Sequence, residues 1–333
     1  MIKPSWHWVL PENQRRTLVE LTDDLDLRTG DVRAKRSAFW LFLLLSAVIA
    51  TAGVLADSTA TVIGAMIIAP LSTPIMGTAL ALAKRSRRGT VSSLVVVLLG
   101  AIAVVGVGVA LEWLMPRSWD LVSNSQVSGR TSPGALDLLA ALATGFAGAI
   151  ALARRDVAAV LPGVAIAISL VPPLAVVGVC LGHGAPDLAL GALLLFLSNL
   201  LALVLAGSLG FAATGYAAEA AAAAGRRRRA PVPVVVLLVL VALPLLLNSA
   251  VAYYVSVMTA RVQVAAEEWV VDVPGASVEG VEVVGGEVRI AVRTPGDLPS
   301  TQSLVTSIGE VVPGEFPVTI VISLGEVVVA RTG

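Results

Sequence analysis

Cysteine is almost missing from this sequence: Cys180 stands alone among 333 residues. That excludes an intrachain disulfide framework and a cysteine-ligated zinc site. Charge is scarce as well, at 14%, where soluble domains carry about 25%. Aromatic residues make up only 5% and histidine occurs twice. The sequence holds no HExxH, no GxSxG and no glycine-rich nucleotide loop, so metalloprotease, serine hydrolase and ATP-driven pump chemistry are not expected of it. Together these shortages exclude a soluble enzyme, a nucleic-acid binder and a disordered chain. No catalytic residue, metal site or cofactor is expected.

What fills the space is apolar. Hydrophobic residues reach 56% and the mean hydropathy is +0.88. The excess sits in runs of about 20 residues, the length that crosses a hydrocarbon core of roughly 30 Å. Seven spans are predicted, near 38–56, 58–83, 91–115, 135–153, 157–182, 187–211 and 232–257, with the alanine-rich 217–224 a candidate continuation of the sixth. The first apolar run starts at Ala38, too late for a cleavable leader. It reads as an uncleaved first span after a polar segment, 1–37.

Lys and Arg fix an orientation for these spans. Seven lie in 1–37, four at Lys84, Arg85, Arg87 and Arg88, two at Arg154 and Arg155, and four at Arg226 to Arg229. With seven crossings all seventeen fall on one side, and only Arg117 and Arg130 fall in the opposite loops. The expected arrangement is a multi-pass protein of a bacterial plasma membrane, N-terminus cytoplasmic and C-terminus extracytoplasmic. Its expected parts are the cytoplasmic segment 1–37, a first repeat 38–115, an outer loop 116–134, a second repeat 135–216, a basic linker 217–231, a seventh helix 232–257 and an outer domain 258–333.

The word repeat rests on an ungapped match. Residues 50–82 align with 149–181 at a constant offset of 99, with nine of 33 positions identical. Asp57/Asp156, Gly64/Gly163 and Pro74/Pro173 are the informative pairs, because Ala and Leu matches are cheap in this composition. The second and fifth spans would run in opposite directions, making spans 1–3 and 4–6 inverted copies, an arrangement found in secondary transporters.

Each copy carries prolines at the centre of its second span, Pro70 and Pro74 in one and Pro172 and Pro173 in the other. Proline removes a donor and clashes with the carbonyl four residues back. Two such helices are expected to break, and the freed backbone groups cannot face lipid. Ser72, Thr73 and Ser169 add hydroxyls at that depth, and Asn199 lies mid-span in the sixth helix. These eight residues are the candidate substrate or ion site. Gly64, Gly77, Gly163 and Gly178 flank the breaks and permit close helix approach. Asp57 and Asp156 open the broken helices as expected N-caps, with gating the competing role. Glu112, Asp137, Asp187 and His183 are expected at the outer surface, solvated.

After Arg261 the pattern changes to alternating, valine-rich stretches with Gly, Pro and Asp between them. These read as strands, with Gly285–Gly286 at a hairpin turn and a helix over 300–312 capped by Ser300. The expectation is a small acidic α+β module. It holds ten Asp/Glu and four Arg, and it suits solubilisation, oligomer packing or gating.

The strings GAMIIAPLSTPIMG and AIAISLVPPLAVVG, with LRTGDVRAKRSAFW and ADSTATVIGA before them, resemble the paired signatures of a bacterial and archaeal membrane family. It is the uncharacterised hydrophobic domain family, domain of unknown function 389, and the likeness covers roughly 25–215. The resemblance implies an integral membrane protein; it supplies no substrate and no functional residues. The overall expectation is an all-α polytopic membrane protein with a 3+3 inverted repeat and a C-terminal α+β domain. It would work as a transporter or permease for a small solute or ion, in a lipid bilayer, as a homo-oligomer. A homo-oligomeric channel gated by the C-terminal domains, or a sensor or scaffold without transport, are the alternatives. With no central carboxylate predicted in the spans, an ion held by carbonyls and hydroxyls, or a small neutral or zwitterionic solute, fits best.

Overall fold

The computed structural model describes residues 10–115, 121, 124–131, 135–157, 170–223, 257–284, 287–294, 298–311 and 318–324. The chain divides into two compact units, Met1–Leu245 and Leu246–Gly333.

The first unit is helical. Helix α1 (Leu18–Leu25) opens with a full capping box between Thr17 and Glu20, which satisfies two orphan donors at once. Helix α2 (Val32–Leu55) is capped by Asp31. Then come α3 (Thr59–Ile68) and α4 (Ser72–Ala83), bent by 53° at the break between them. Helix α5 (Arg87–Leu114) starts under a Ser86 cap. The short α6 (Ser125–Thr131) precedes α7 (Ala135–Ala153), α8 (Val171–His183), α9 (Pro186–Ala213) and α10 (Tyr216–Ala223). Prolines at the first positions of α8 and α9 lose no intrahelical bond there. Gly184, at φ +88°, ends α8 in the left-handed conformation that glycine adopts without strain. Gly215, at φ +93°, likewise separates α9 from α10, so 217–224 does not prolong the sixth span.

Four of these helices, α2, α5, α7 and α9, are long and apolar enough to cross a membrane, and the bent pair α3–α4 makes a fifth candidate. Helix α8 is apolar but shorter. The first half of the expected fifth span and the seventh span lie outside the described residues. The outward faces carry exposed Leu41, Phe42, Leu45, Leu98, Ile102 and Leu194, as a lipid-facing surface does and a water-facing one rarely does.

Element boundaries recur at one spacing. Helices α5 and α9 each have 28 residues and begin at Arg87 and Pro186, 99 apart. Helices α4 and α8 begin at Ser72 and Val171, again 99 apart. The packing crosses over: α8 lies on α5, and α4 lies on α9. At the first contact a Cβ on Gly178 would stand 2.7 Å from the Gly108 Cα. At the second, a Cβ on Gly207 would stand 3.0 Å from the Ala79 Cβ. Shifting Gly108 and Ala79 by 99 gives Gly207 and Gly178, so the two contacts occupy matched positions.

The second unit is α+β. Residues 257–270 form helix α11. Strands β1 (Ser277–Val284) and β2 (Glu287–Thr294) pair antiparallel, with an irregularity between Val278 and Gly280. Helix α12 (Thr301–Val311) then crosses to β3 (Val318–Leu324), which pairs parallel to β2. Alternation along β2 sends Val288, Ile290 and Val292 inward against Val262, Ala266, Leu304 and Ile308. The expected turn at Gly285–Gly286 lies outside the described residues; the helix starts one residue after Ser300, whose hydroxyl lies 3.4 Å from that of Ser303.

Candidate functional site

The break in the α3–α4 pair spans 69–71 and has a direct cause. Pro70 has no N–H, so the α-helical ladder stops at Ile68 and a turn follows, in which the Thr73 N–H donates to the Pro70 carbonyl at 3.2 Å. Pro74 does not share in the break. It is the third residue of α4, where its missing donor would be unpaired anyway. Its carbonyl accepts the Thr78 hydroxyl at 2.8 Å. Pro172 and Pro173 sit likewise in the first turn of α8 and are buried. The residues before them, 158–169, lie outside the described residues, and with them the expected first half of this span.

Backbone near the break is answered by protein. Ser46 of α2, fully buried, donates its hydroxyl to the Ala65 carbonyl in the last turn of α3 at 3.0 Å. Ser72 and Thr73 are half-buried in the first turn of α4, and no side chain caps that helix. Asn199 lies on α9, the common neighbour of α4 and α8. Its amide oxygen is buried and has no hydrogen-bond partner among the described residues. Ser169 lies outside the described residues. No described contact joins Ser72 or Thr73 to Pro172, Pro173 or Asn199. The elements carrying them meet through α9.

The glycine expectations divide. Gly77 and Gly178 are sites of close approach: a Cβ would fall 2.6 Å from the Leu25 carbonyl oxygen at Gly77 and 2.5 Å from that of Val105 at Gly178. Gly64 has nothing within 4 Å, and Gly163 lies outside the described residues.

Asp57 does not cap the helix it precedes, and for Asp156 that helix start lies outside the described residues. Ser58 is the N-cap of α3, accepting from Thr61. Asp57, at φ +48°, turns its carboxylate to α6 instead, where Ser125 donates at 2.7 Å and the Gln126 N–H at 3.2 Å. The Ser125 hydroxyl holds the Asp57 carboxyl below the usual range, against a smaller opposing effect of desolvation. Asn124 completes this clasp by donating to the Val54 carbonyl at 2.8 Å. Asp156 pairs with Arg154, whose Nε lies 2.9 Å away; the start of the expected span 157–182 lies mostly outside the described residues.

A polar pair absent from the expected site lies at the far ends of α5 and α8. Glu112 is fully buried, not solvated. Its Oε1 lies 2.6 Å from Nδ1 of His183, and its Oε2 has no partner among the described residues. Gly182 makes room, since a Cβ there would stand 2.9 Å from the Glu112 Cβ. The signal was present in the sequence: Glu112 falls inside the predicted third span, and His183 follows the fifth. Both spans were predicted to end on the same side.

At the α4–α5 turn, Lys84 donates to the Thr22 hydroxyl at 2.8 Å. Burial pushes its pKa below the ordinary lysine value, partly countered by Asp26. Burial also acts on Asp26 itself, but the Arg28 bonds outweigh it and its carboxyl lies below the usual range.

Chemically, the first unit offers a helix break with two half-buried hydroxyls, an unanswered amide oxygen and a buried carboxylate–imidazole pair. Buried polar atoms without partners are rare. These groups suit binding a small polar species, and among the described residues no cluster of three His, Cys, Asp or Glu could hold a metal ion.

Residues 66–205 match a family model described as Domain of unknown function (DUF389). An uncharacterized protein of Methanocaldococcus jannaschii is 33% identical over 175 residues, 53% of this chain and 53% of that protein. The chain spans about half the length of this curated relative. No solved structure matches significantly. The matched stretch runs from α3 into α9 and so holds the α3–α4 break, the Glu112–His183 pair and Asn199. Over residues 66–205 this chain is similar to the DUF389 family, and its long apolar helices are those expected of a membrane protein.

Proposed function

We propose that the chain is a secondary transporter or permease of a cell membrane, with a solute or ion site near the midplane beside the α3–α4 break. The carrying observation is that break: a bent, proline-terminated helix presenting Ser72 and Thr73, both half-buried, inside an otherwise apolar unit. Irregular backbone at membrane depth persists only against protein or a wet cavity. The common 99-residue spacing of α4/α8 and α5/α9, and the matched Gly108–Gly178 and Ala79–Gly207 contacts, favour an inverted repeat of three spans each. The unanswered Asn199 oxygen on α9 supplies a further acceptor. Seven spans, a cytoplasmic N-terminus, an extracytoplasmic C-terminus and assembly as a homo-oligomer belong to the same reading and rest on the Lys/Arg distribution.

Thiol accessibility tests it. In a Cys180→Ala background, single cysteines replace Ser72, Thr73, Asn199 and, as a lipid-facing control, Leu98. In proteoliposomes a small charged methanethiosulfonate should label the first three at least about tenfold faster than the control, since only a hydrated thiol ionises readily. Labelling of all four at the slow control rate would remove the wet cavity and, with it, the transport reading. Reporter fusions after residue 333 and within 84–90 test the orientation separately.

A further inference from the structure

We propose that the turn between α4 and α5, with α1 folded against it, forms a binding site for a single phosphate group. This site is independent of the transport reading. Close packing creates it. Gly77 lets the end of α1 approach α4 until the Leu25 carbonyl oxygen is 2.6 Å from where a Cβ would stand. The space left beside this contact is a cavity of about 340 Å³, counting its open mouth, lined among others by Thr22, Asp26, Arg28, Lys84, Ser86 and Ser93.

The charges in it do not cancel. Arg28 is committed to Asp26, with Nε and Nη2 each 3.0 Å from its carboxylate oxygens and the Arg28 backbone N–H on the same group. Lys84 has only a neutral partner, the Thr22 hydroxyl, and Thr22 in turn donates to the Leu18 carbonyl at 2.6 Å. A half-buried ammonium with two N–H donors left over is the excess charge of the cavity. Asp26, already bonded to Arg28, offsets only part of the cost of burying this ammonium, so an anion entering here regains part of what desolvation has taken.

The remaining lining is rich in donors. Ser86 already accepts from the Gly89 N–H at 3.2 Å, which leaves its own O–H to donate. Ser93 is buried, and its Oγ lies 3.3 Å from the position of a Gly77 Cβ, on the cavity side of α4. The cavity also opens on the start of α5, a 28-residue helix, whose dipole favours negative charge at that end. Lys84, Ser86 and Ser93 together suit a tetrahedral anion with three or four acceptor oxygens better than a planar carboxylate with two. The ligand class is therefore a phosphate group, from either of two sources: the headgroup of an anionic phospholipid, or free phosphate.

The experiment uses the full chain in nanodiscs. One arm contains phosphatidylglycerol, and native mass spectrometry reads how much lipid stays bound. The other contains phosphatidylcholine only, and thermal unfolding with millimolar inorganic phosphate reads protection. Lys84→Ala should lower the response in at least one arm about tenfold or more, the scale of one charge-assisted bond, and Lys84→Arg should retain it. A Lys84-dependent loss in the first arm assigns the lipid headgroup, and one confined to the second assigns free phosphate. Arg87→Ala with Arg88→Ala, outside the lining, should leave both responses within about twofold, as expected of charges that act only through a screened surface potential. Thr22→Val separates binding from folding, because it removes the tether of α1 but keeps the Lys84 charge. Binding preserved in Thr22→Val supports the site. If Thr22→Val copies Lys84→Ala, or if Lys84→Ala matches the unaltered chain in both arms, the proposal is overturned.

Discussion

The stretches α2–α5 and α7–α9 place their helices at the same spacing and then finish them differently. Lys84 follows α4 and His183 closes α8, 99 residues apart. The first reaches back to a hydroxyl on the N-terminal helix; the second bonds a buried carboxylate on α5. Gly100 of α5 packs against Leu43 and Leu71 at the break, whereas its counterpart on α9 is Asn199, with an unanswered oxygen. Glu112 of α5 corresponds to Phe211 of α9, an apolar core residue. The shared spacing sets where helices start and where small residues meet. At Gly100/Asn199 and Glu112/Phe211 the polar residue falls on one member only, and at Lys84/His183 both are polar but bond differently, as expected if the spacing is structural and the departures from it are functional.

The sharpest way to break this comparison is at the pair that has no counterpart. Replacing His183 by Leu would leave the buried Glu112 carboxyl without its described partner, at a cost of at least about 1–3 kcal/mol. Replacing both, Glu112→Leu with His183→Leu, should recover most of that loss, because an apolar pair of similar volume leaves no buried polar group unpaired. Thermal unfolding of the two single variants and the double variant forms a cycle that isolates the coupling. A double variant as unstable as the sum of the singles would show that the two residues act apart.

The matched glycine contacts come next. Gly178→Ala drives a methyl group into backbone, 2.5 Å from the Val105 oxygen, so α5 and α8 must separate at a cost of about 1–3 kcal/mol. Gly207→Ala meets the Ala79 Cβ at 3.0 Å and the flexible end of Met76 at 3.1 Å, and should cost less than about 1.5 kcal/mol. Equal unfolding temperatures for the two variants would mean that the α5–α8 contact is no tighter than its counterpart.

Those contacts also mark how far the sequence could be read. The starts of α5 and α9, the break at Pro70 and the α+β character of the C-terminal unit follow from charge, proline and periodicity, all of which are local. The Glu112–His183 bond joins residues 71 apart, and nothing local distinguishes a buried glutamate near a helix end from a solvated one. From the sequence the N-terminal segment reads only as a polar cytoplasmic stretch with seven Lys/Arg. It is instead fastened to distant helix ends: Arg16 N–H to the Ala153 carbonyl at 2.9 Å, Arg155 N–H to the Gln14 carbonyl at 2.9 Å, and the Tyr216 hydroxyl to the Arg16 carbonyl at 2.7 Å. Such bonds depend on which helix ends share a membrane face, a tertiary property. The same holds for Ser46, whose role is visible only once α3 ends beside α2. Ser46→Ala should cost about 0.6 kcal/mol, the typical worth of one interhelical hydrogen bond in a bilayer. Unfolding of the purified protein checks it against Ser37→Ala, which removes only an exposed bond within α2.

The smallest expected effect compares the two matched aspartates. Asp57 is held below the usual carboxylate range chiefly by the Ser125 hydroxyl, and Asp156 chiefly by its bonds from Arg154. A carboxylate whose folded pKa is depressed contributes stability above its unfolded value, and that contribution is lost as pH falls through the folded value. For both residues the loss therefore begins below about pH 3.9, the unperturbed aspartate value. They differ in what is clasped. Asp57 joins the α2–α3 junction to α6, a partner 68 residues away, whereas Asp156 bonds a neighbour two residues away. Acid should therefore loosen a long-range contact, that of α6, at Asp57 and only a local turn at Asp156. Hydrogen exchange at the Gln126 amide, which donates to Asp57, should quicken as pH falls below about 3.9, relative to the intrinsic exchange rate. Asp57→Asn should remove that acid-dependent step, leaving Gln126 exchange at one protection level across the range. A pH step at Gln126 that survives Asp57→Asn would show that Asp57 is not the group whose protonation opens the clasp, since the other acceptor of this amide, the Asn124 side-chain oxygen at 2.9 Å, does not titrate.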